Sequence, residues 1–309
     1  MKLKLILLVF IALSAELRGQ ESYTVPEDVS RIVFLGNSIT YKGLYVTYLE
    51  TWLTLTYPER NIEFMNVGLP SETVSGLSEP GHAKGAYPRP VLRERLDRVL
   101  EQTNPDLVFA CYGMNDGVYL PFDDARFRKY REGIEWLHAE VMASGAEIVF
   151  LTPPVYDPRK GAAYSNVLDI YSAWLISKRY TDQWKVADLH GPMRTFLEEQ
   201  READPSFYLA RDGVHPGETG HWLMAREILH FMGHQEVKDI GTIQGALAPF
   251  PYGQEVLELI DRRQRIMKDA WLTSTGHTRP RMKEGMSMED AEASCQEIRQ
   301  TIDTLLERN

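Results

Sequence analysis

The chain has 309 residues, of which 43% are apolar and 25% charged, and its formal net charge is −10. That much apolar material fits one large folded domain or a domain with an extension, and excludes a chain too polar to build a core. The acidic balance excludes a typical nucleic-acid binder, which presents a basic face to phosphates.

Residues 1–19 read as a signal peptide. Lys2 and Lys4 give a positive start, an apolar run extends from Leu5 to Leu13, and the small residues Ser14 and Ala15 follow. The run is too short to span a bilayer, which takes about 20 apolar residues, and it matches the apolar segment of a secretory leader. Cleavage after Ser14, Ala15 or Gly19 fits equally. The expected product is exported, periplasmic or secreted, with no membrane anchor, since no Cys lies near residue 20 to carry a lipid. Cys111 and Cys295 are the two cysteines; two do not make a disulfide framework, and both are expected as free thiols.

From residue 20 to 235, short apolar runs alternate with helical spacing. Residues 31–36, 62–68, 106–113, 147–154 and 184–191 read as buried strands that end in turn residues. Helical patterns occupy 43–58, 91–104, 125–145, 167–183, 191–200 and 217–233, with Pro192 suited to a first helical turn. His138, His221, His230 and His234 are read as helical. Such alternation predicts parallel βαβ units, a five-stranded sheet with helices on both faces, and functional loops at the C-terminal ends of the strands. Two long Gly- and Pro-rich loops, 74–90 and 153–166, lie on that edge and read as functional rims.

The pattern changes over 236–309. Residues 240–253 read as a linker. A helix follows with Val256, Leu259, Ile260, Ile266, Met267, Ala270 and Trp271 on one face. The last helix starts at Ser287, with Asp290 three residues on as a capping signal, and its apolar positions are Met288, Ala291, Cys295, Ile298, Ile302 and Leu305. This predicts a C-terminal linker and two-helix extension that braces the core or mediates dimerisation.

A serine hydroxyl is a weak nucleophile until a base takes its proton, the base needs an orienting carboxylate, and a tetrahedral intermediate needs donors at its oxyanion. Ser38, in "GNS" at the end of the first strand, stands where such a nucleophile belongs. Asp212 and His215, in "RDGVHP", can form base and orienter within one turn, with the carboxylate on Nδ1 and Nε2 facing outward. Asn115, in "YGMND" after the third strand, carries an amide that can donate to an oxyanion. There is no H-E-x-x-H and no cluster of Cys and His, so nothing in the sequence calls for a metal or another cofactor.

Four blocks in order, "GNS" at 36–38, "NVGLPSET" at 66–73, "GMND" at 113–116 and "DGVHP" at 212–216, resemble the SGNH (GDSL-type) hydrolase superfamily over roughly residues 30 to 235. The resemblance implies a three-layer α/β/α, flavodoxin-like fold with sheet order 2-1-3-4-5. It implies Ser38 as nucleophile, His215 as general base then acid, and Asp212 as its orienter. The oxyanion hole would comprise the Ser38 backbone N–H, the Ser71 backbone N–H and the Asn115 side chain. Two departures stand out. Asn37 replaces the usual Asp, and Ser71 takes the place of a glycine, so a positive φ there would strain it.

The resulting expectation is an exported serine esterase for small O-acyl groups, most simply O-acetyl esters on a carbohydrate, with Tyr112, Tyr119 and Tyr156 available to stack on sugar rings. A lipase, arylesterase or thioesterase of the same superfamily is the nearest rival. A non-catalytic glycan-binding protein on a hydrolase scaffold is the rival from another class, and the presence of Ser38, Asp212 and His215 together argues against it.

Overall fold

A computed structural model describes residues 23–308; the leader expected over 1–19 lies outside the described residues. In chain order the elements are β1 (Arg31–Gly36), α1 (Ser38–Lys42), α2 (Leu44–Thr56), β2 (Glu63–Asn66), α3 (Leu96–Thr103), β3 (Leu107–Cys111), α4 (Asp124–Ala143), β4 (Glu147–Leu151), α5 (Ala162–Thr181), β5 (Lys185–Ala187), α6 (His190–Ala203), α7 (Glu218–Phe231), α8 (Ile243–Leu247), α9 (Gly253–Thr275) and α10 (Met288–Leu306). The strands form one all-parallel sheet in the order β2-β1-β3-β4-β5. This is the three-layer α/β/α arrangement that the alternation predicts.

The register follows from burial. Ile32, Val33, Phe34 and Leu35 of β1 lie beside Leu107, Val108, Phe109 and Ala110 of β3, and all eight are buried. A central strand covered on both faces needs such an unbroken apolar run. Phe34 stacks between Phe64 and Phe109, at 6.1 and 5.3 Å between ring centroids, so three adjacent strands share one aromatic row. β1 and β3 end side by side, with Gly36 opposite Cys111. That register brings the first and third motif blocks to the same edge. Both cysteines are buried free thiols.

The C-terminal segment is bonded into this core. α9 packs on α2 and β2, and α10 packs on α9. Gln264 of α9 donates to the Phe64 carbonyl at 2.9 Å, covering part of the edge that β2 would otherwise present. Arg263 and Gln264 also hold Glu50, a carboxylate buried in α2. Its burial raises the Glu50 pKa despite those two partners. α10 buries Ala291, Cys295, Ile298, Ile302 and Leu305, and Ser287 caps it by accepting from the Asp290 N–H at 3.1 Å.

Local differences from the sequence reading have physical causes. The pattern over 91–104 is not one helix. A 3-10 turn at Leu92–Glu94 precedes α3, and Arg95 between them points inward to Glu72 at 2.7 Å. The stretch read as a linker contains α8, capped by Thr242, whose hydroxyl accepts from the Gly245 N–H at 3.1 Å. α5 starts at Ala162, one residue beyond Gly161. His234 lies beyond the end of α7, not within a helix.

Candidate active site

Ser38 opens α1 directly beyond β1. Asn37 caps this short helix, its side-chain oxygen accepting from the Ile39 N–H at 3.1 Å. Asn therefore performs locally what an Asp would, since capping needs only an acceptor oxygen. Gly36 is required by close approach: a Cβ there would lie 2.2 Å from Thr40 Oγ1 and 2.9 Å from the Cys111 carbonyl. The turn can thus fold tightly against the end of β3 and lift Ser38 above the sheet.

The imidazole facing Ser38 comes from a second turn. His215 Nε2 lies 2.8 Å from Ser38 Oγ, and His215 Nδ1 lies 2.7 Å from Asp212 Oδ2. The other carboxylate oxygen, Oδ1, accepts from the backbone N–H groups of Val214 and His215 at 2.9 and 2.8 Å. Burial opposes ionisation of Asp212, but those N–H groups and the imidazole outweigh it and hold the carboxyl below its ordinary pKa. An ionised, anchored acceptor on Nδ1 leaves Nε2 free to take a proton. Gly213 makes this turn with φ 90°, and a side chain there would come within 2.7 Å of Lys160. The loop after β4 braces it, the Asp157 N–H donating to the Gly213 carbonyl at 3.0 Å while Asp157 is held by Arg201. The His215 and Asp212 side chains remain 50% and 55% exposed, so this edge of the site is open.

The second and third blocks interlock with each other. Asn66 Nδ2 donates to the Thr40 carbonyl at 2.7 Å and Asn66 Oδ1 accepts from the Gly68 N–H at 3.0 Å. This ties the second block to the serine helix. Ser71 has φ 70°, in the left-handed region that costs a residue with a Cβ about 1–2 kcal/mol. Glu72, the next residue, is buried with Arg95: the guanidinium donates to Glu72 Oε1 and Oε2 at 2.7 and 2.8 Å, and to the Val67 carbonyl at 2.8 Å. Tyr112 donates to Glu72 Oε2 at 2.6 Å. Asn115 Nδ2 donates to the Glu72 carbonyl at 3.1 Å. Asp116, fully buried, accepts from the N–H groups of Val74, Ser75 and Gly113 at 2.9 Å each. Even so, burial raises its pKa.

The structure thus brings Ser38, His215 and Asp212 into one hydrogen-bonded chain, and joins Asn115 to the residue after Ser71. Neither the Ser38 nor the Ser71 backbone N–H has a protein partner among the described residues. The sequence reading did not single out Glu72, Arg95 or Asp116. Arg95 carried a signal, because it falls on the same helical face as Leu92, Leu96 and Val99, where a charge needs a buried partner. The expectation that Tyr112 stacks on sugars is corrected: it is 1% exposed and its hydroxyl is spent on Glu72. Tyr156 is also buried, beside Gly213. The exposed aromatics nearest in sequence to the site blocks are instead Phe122 and Tyr208.

The model of the GDSL-like lipase/acylhydrolase family matches residues 34–223. An acetylxylan esterase from Geobacillus stearothermophilus is 24% identical over 229 residues, 67% of this chain and 96% of that protein. A solved structure of acetylxylan esterase from that organism aligns with a TM-score of 0.53 at 23% identity, covering 66% of this chain and 94% of that one. A gut microbial diltiazem-metabolizing enzyme aligns with a TM-score of 0.59 at 22% identity over 70% of this chain, which spans 49% of that protein's length. Because the family model covers more than half of the sequence, from the middle of β1 into α7, and because the fold is the one those structures share, the chain belongs to the GDSL-like lipase/acylhydrolase family and is an SGNH-type serine ester hydrolase.

Proposed function

We propose that this protein removes small O-acyl groups, O-acetyl above all, from carbohydrates through an acyl-enzyme. Ser38 Oγ attacks the ester carbonyl carbon while His215 Nε2 takes its proton. The carbonyl electron pair moves onto oxygen, and the tetrahedral oxyanion is held by the backbone N–H groups of Ser38 and Ser71 and by Asn115 Nδ2. When the intermediate collapses, the C–O bond to the alcohol breaks and His215 returns the proton to the departing oxygen. Water then attacks the acyl-serine, His215 again takes and returns a proton, and the free acid leaves. Asp212 holds the imidazole throughout and stabilises its charged form.

The observation that carries the reading is the unbroken chain Ser38 Oγ, His215 Nε2, His215 Nδ1, Asp212 Oδ2, with links of 2.8 and 2.7 Å. The carbohydrate substrate is supported by the acetylxylan esterase likeness and by the exposure of the base, which suits an ester carried on a chain lying across the surface. An exported location, as the N-terminal segment suggests, would place the enzyme among such glycans. Among the described residues no helix is long and apolar enough to cross a membrane.

The test compares nitrophenyl esters from two to twelve carbons with acetylated xylo-oligosaccharides. We expect acetyl turnover to exceed that of long chains, and Ser38→Ala to fall to the residual rate of a site without its nucleophile. A folded Ser38→Ala protein with wild-type turnover refutes the mechanism, and a preference for twelve carbons refutes the substrate class.

A further inference from the structure

Asn115 can serve an oxyanion only if its amide is held in one orientation with a hydrogen to spare. Two neighbours decide this. The Glu72 carbonyl can only accept, so the amide nitrogen must face it, at 3.1 Å. The amide oxygen then faces the Tyr119 hydroxyl, which donates to it at 3.0 Å. Turning the amide over would set two oxygens against each other at Glu72. One hydrogen of Nδ2 is used on that carbonyl, and the nitrogen has no other partner among the described residues.

The Tyr119 ring is built into place. It packs against Tyr164 at 4.8 Å and Tyr156 at 6.2 Å between centroids, and the Arg89 guanidinium lies 5.4 Å from its centre. Arg89 itself is clamped by Glu79 at 2.7 Å through two hydrogen bonds and reaches the Ser71 carbonyl at 3.4 Å. The backbone is forced to deliver the ring: Val118 and Tyr119 have φ 48° and 57° in succession. A β-branched residue there is a true outlier, and such strain persists where surrounding structure imposes it, commonly at active sites. Burial pushes the phenol up to about 12, so the hydroxyl keeps its proton and can donate.

We propose that Tyr119 is a positioning residue of the reaction: its hydroxyl locks the Asn115 amide so that the unused Nδ2 hydrogen is presented to the oxyanion. The inference rests on the reading of Asn115 as an oxyanion donor. Tyr119 touches no substrate in this role and acts only through Asn115.

A double-mutant cycle on acetyl-ester turnover tests it. Tyr119→Phe keeps the ring and its packing and deletes the donor. It should lower kcat about tenfold with KM changed less than about twofold, the factor that one well-placed hydrogen bond carries. Asn115→Ala should lower kcat by roughly 10²–10³. Adding Tyr119→Phe to Asn115→Ala should cost no more than about twofold further, because the group being positioned is gone. Unchanged kcat in Tyr119→Phe overturns the inference. So does an equal tenfold loss in both backgrounds, which assigns the hydroxyl to general support of the loop; the cycle decides even if Tyr119→Phe melts earlier, since that loss is common to both. If Asn115→Ala itself retains wild-type kcat, the oxyanion reading of the site has failed, a result distinct from failure of Tyr119 alone.

Discussion

Replacing Arg95 by methionine should be among the most damaging single changes in this protein away from Ser38. The Arg95 and Glu72 side chains are both 0% exposed. Burial works against the Arg95 charge, but Glu72 more than compensates and holds the guanidinium pKa above its ordinary value. The substitution deletes three hydrogen bonds, two to the carboxylate and one to the Val67 carbonyl. It leaves the Glu72 carboxyl in the interior with Tyr112 as its remaining side-chain partner. Breaking a buried pair from one side costs about 3–5 kcal/mol, on the order of 10 °C in Tm for a protein of this size. The damage should also reach turnover, because Glu72 follows Ser71 and its carbonyl holds Asn115. Denaturant titration of Arg95→Met, Glu72→Gln and the double variant measures it. The double variant should be more stable than the sum of the singles predicts, since it leaves no uncompensated charge. A loss below about 1 kcal/mol in Arg95→Met, or strict additivity, refutes the argument that this pair is what fixes the second block.

A further outcome concerns pH. His221 is fully buried, and burial, with Lys42 and His215 adding, pushes its imidazole down to about 3 from the ordinary 6.5. Between those values the unfolded chain carries a proton that the folded chain does not. Stability should therefore fall as pH falls from about 6.5 towards 3, by up to about 1.4 kcal/mol per unit from this group. His221→Gln, which can still accept from the Tyr45 N–H, should flatten that slope in urea titrations, and an unchanged slope refutes the assignment.

The sheet and the Ser38 turn were legible because each rests on neighbours in sequence. The apolar runs of β1 and β3 announce themselves without help from the rest of the chain, and Asp212 and His215 meet within one turn. The support of the site was not legible for the opposite reason. Glu72 and Arg95 are 23 positions apart, Arg89 reaches Ser71 across 18, and Gln264 covers Phe64 across 200. Such pairs exist only after the parallel strands have set blocks two and three side by side. The left-handed backbone of Val118 and Tyr119 could not be read either, since nothing in "GVYL" favours it; tertiary packing imposes it against local preference. In the sequence Tyr119 is an aromatic near the edge, and the role suggested by its hydroxyl depends on a ring position set by packing against Tyr164, Tyr156 and Arg89.

Ser71 is where sequence and backbone meet in one testable claim. The family pattern suggested glycine, and the structure gives Ser71 φ 70°, so the position does require the left-handed region and the serine sits there at a cost. Its hydroxyl has no hydrogen-bond partner among the described residues, whereas its backbone carbonyl is held by Arg89. If the contribution of Ser71 to turnover is its N–H, the side chain is dispensable. Ser71→Ala should then keep kcat within about twofold, since alanine pays the same backbone cost. Ser71→Gly relieves about 1–2 kcal/mol of strain but loosens the unfolded chain by about 0.4–1 kcal/mol, so stability should hold or rise slightly, with kcat kept or raised. Ser71→Val adds a β-branch where the backbone tolerates it least, and should lower both stability and kcat. The three are compared by acetyl-ester kinetics and urea titration. A tenfold fall in Ser71→Ala with stability unchanged would show that the hydroxyl itself takes part, and the oxyanion would then be held by a side chain where this reading places a backbone donor.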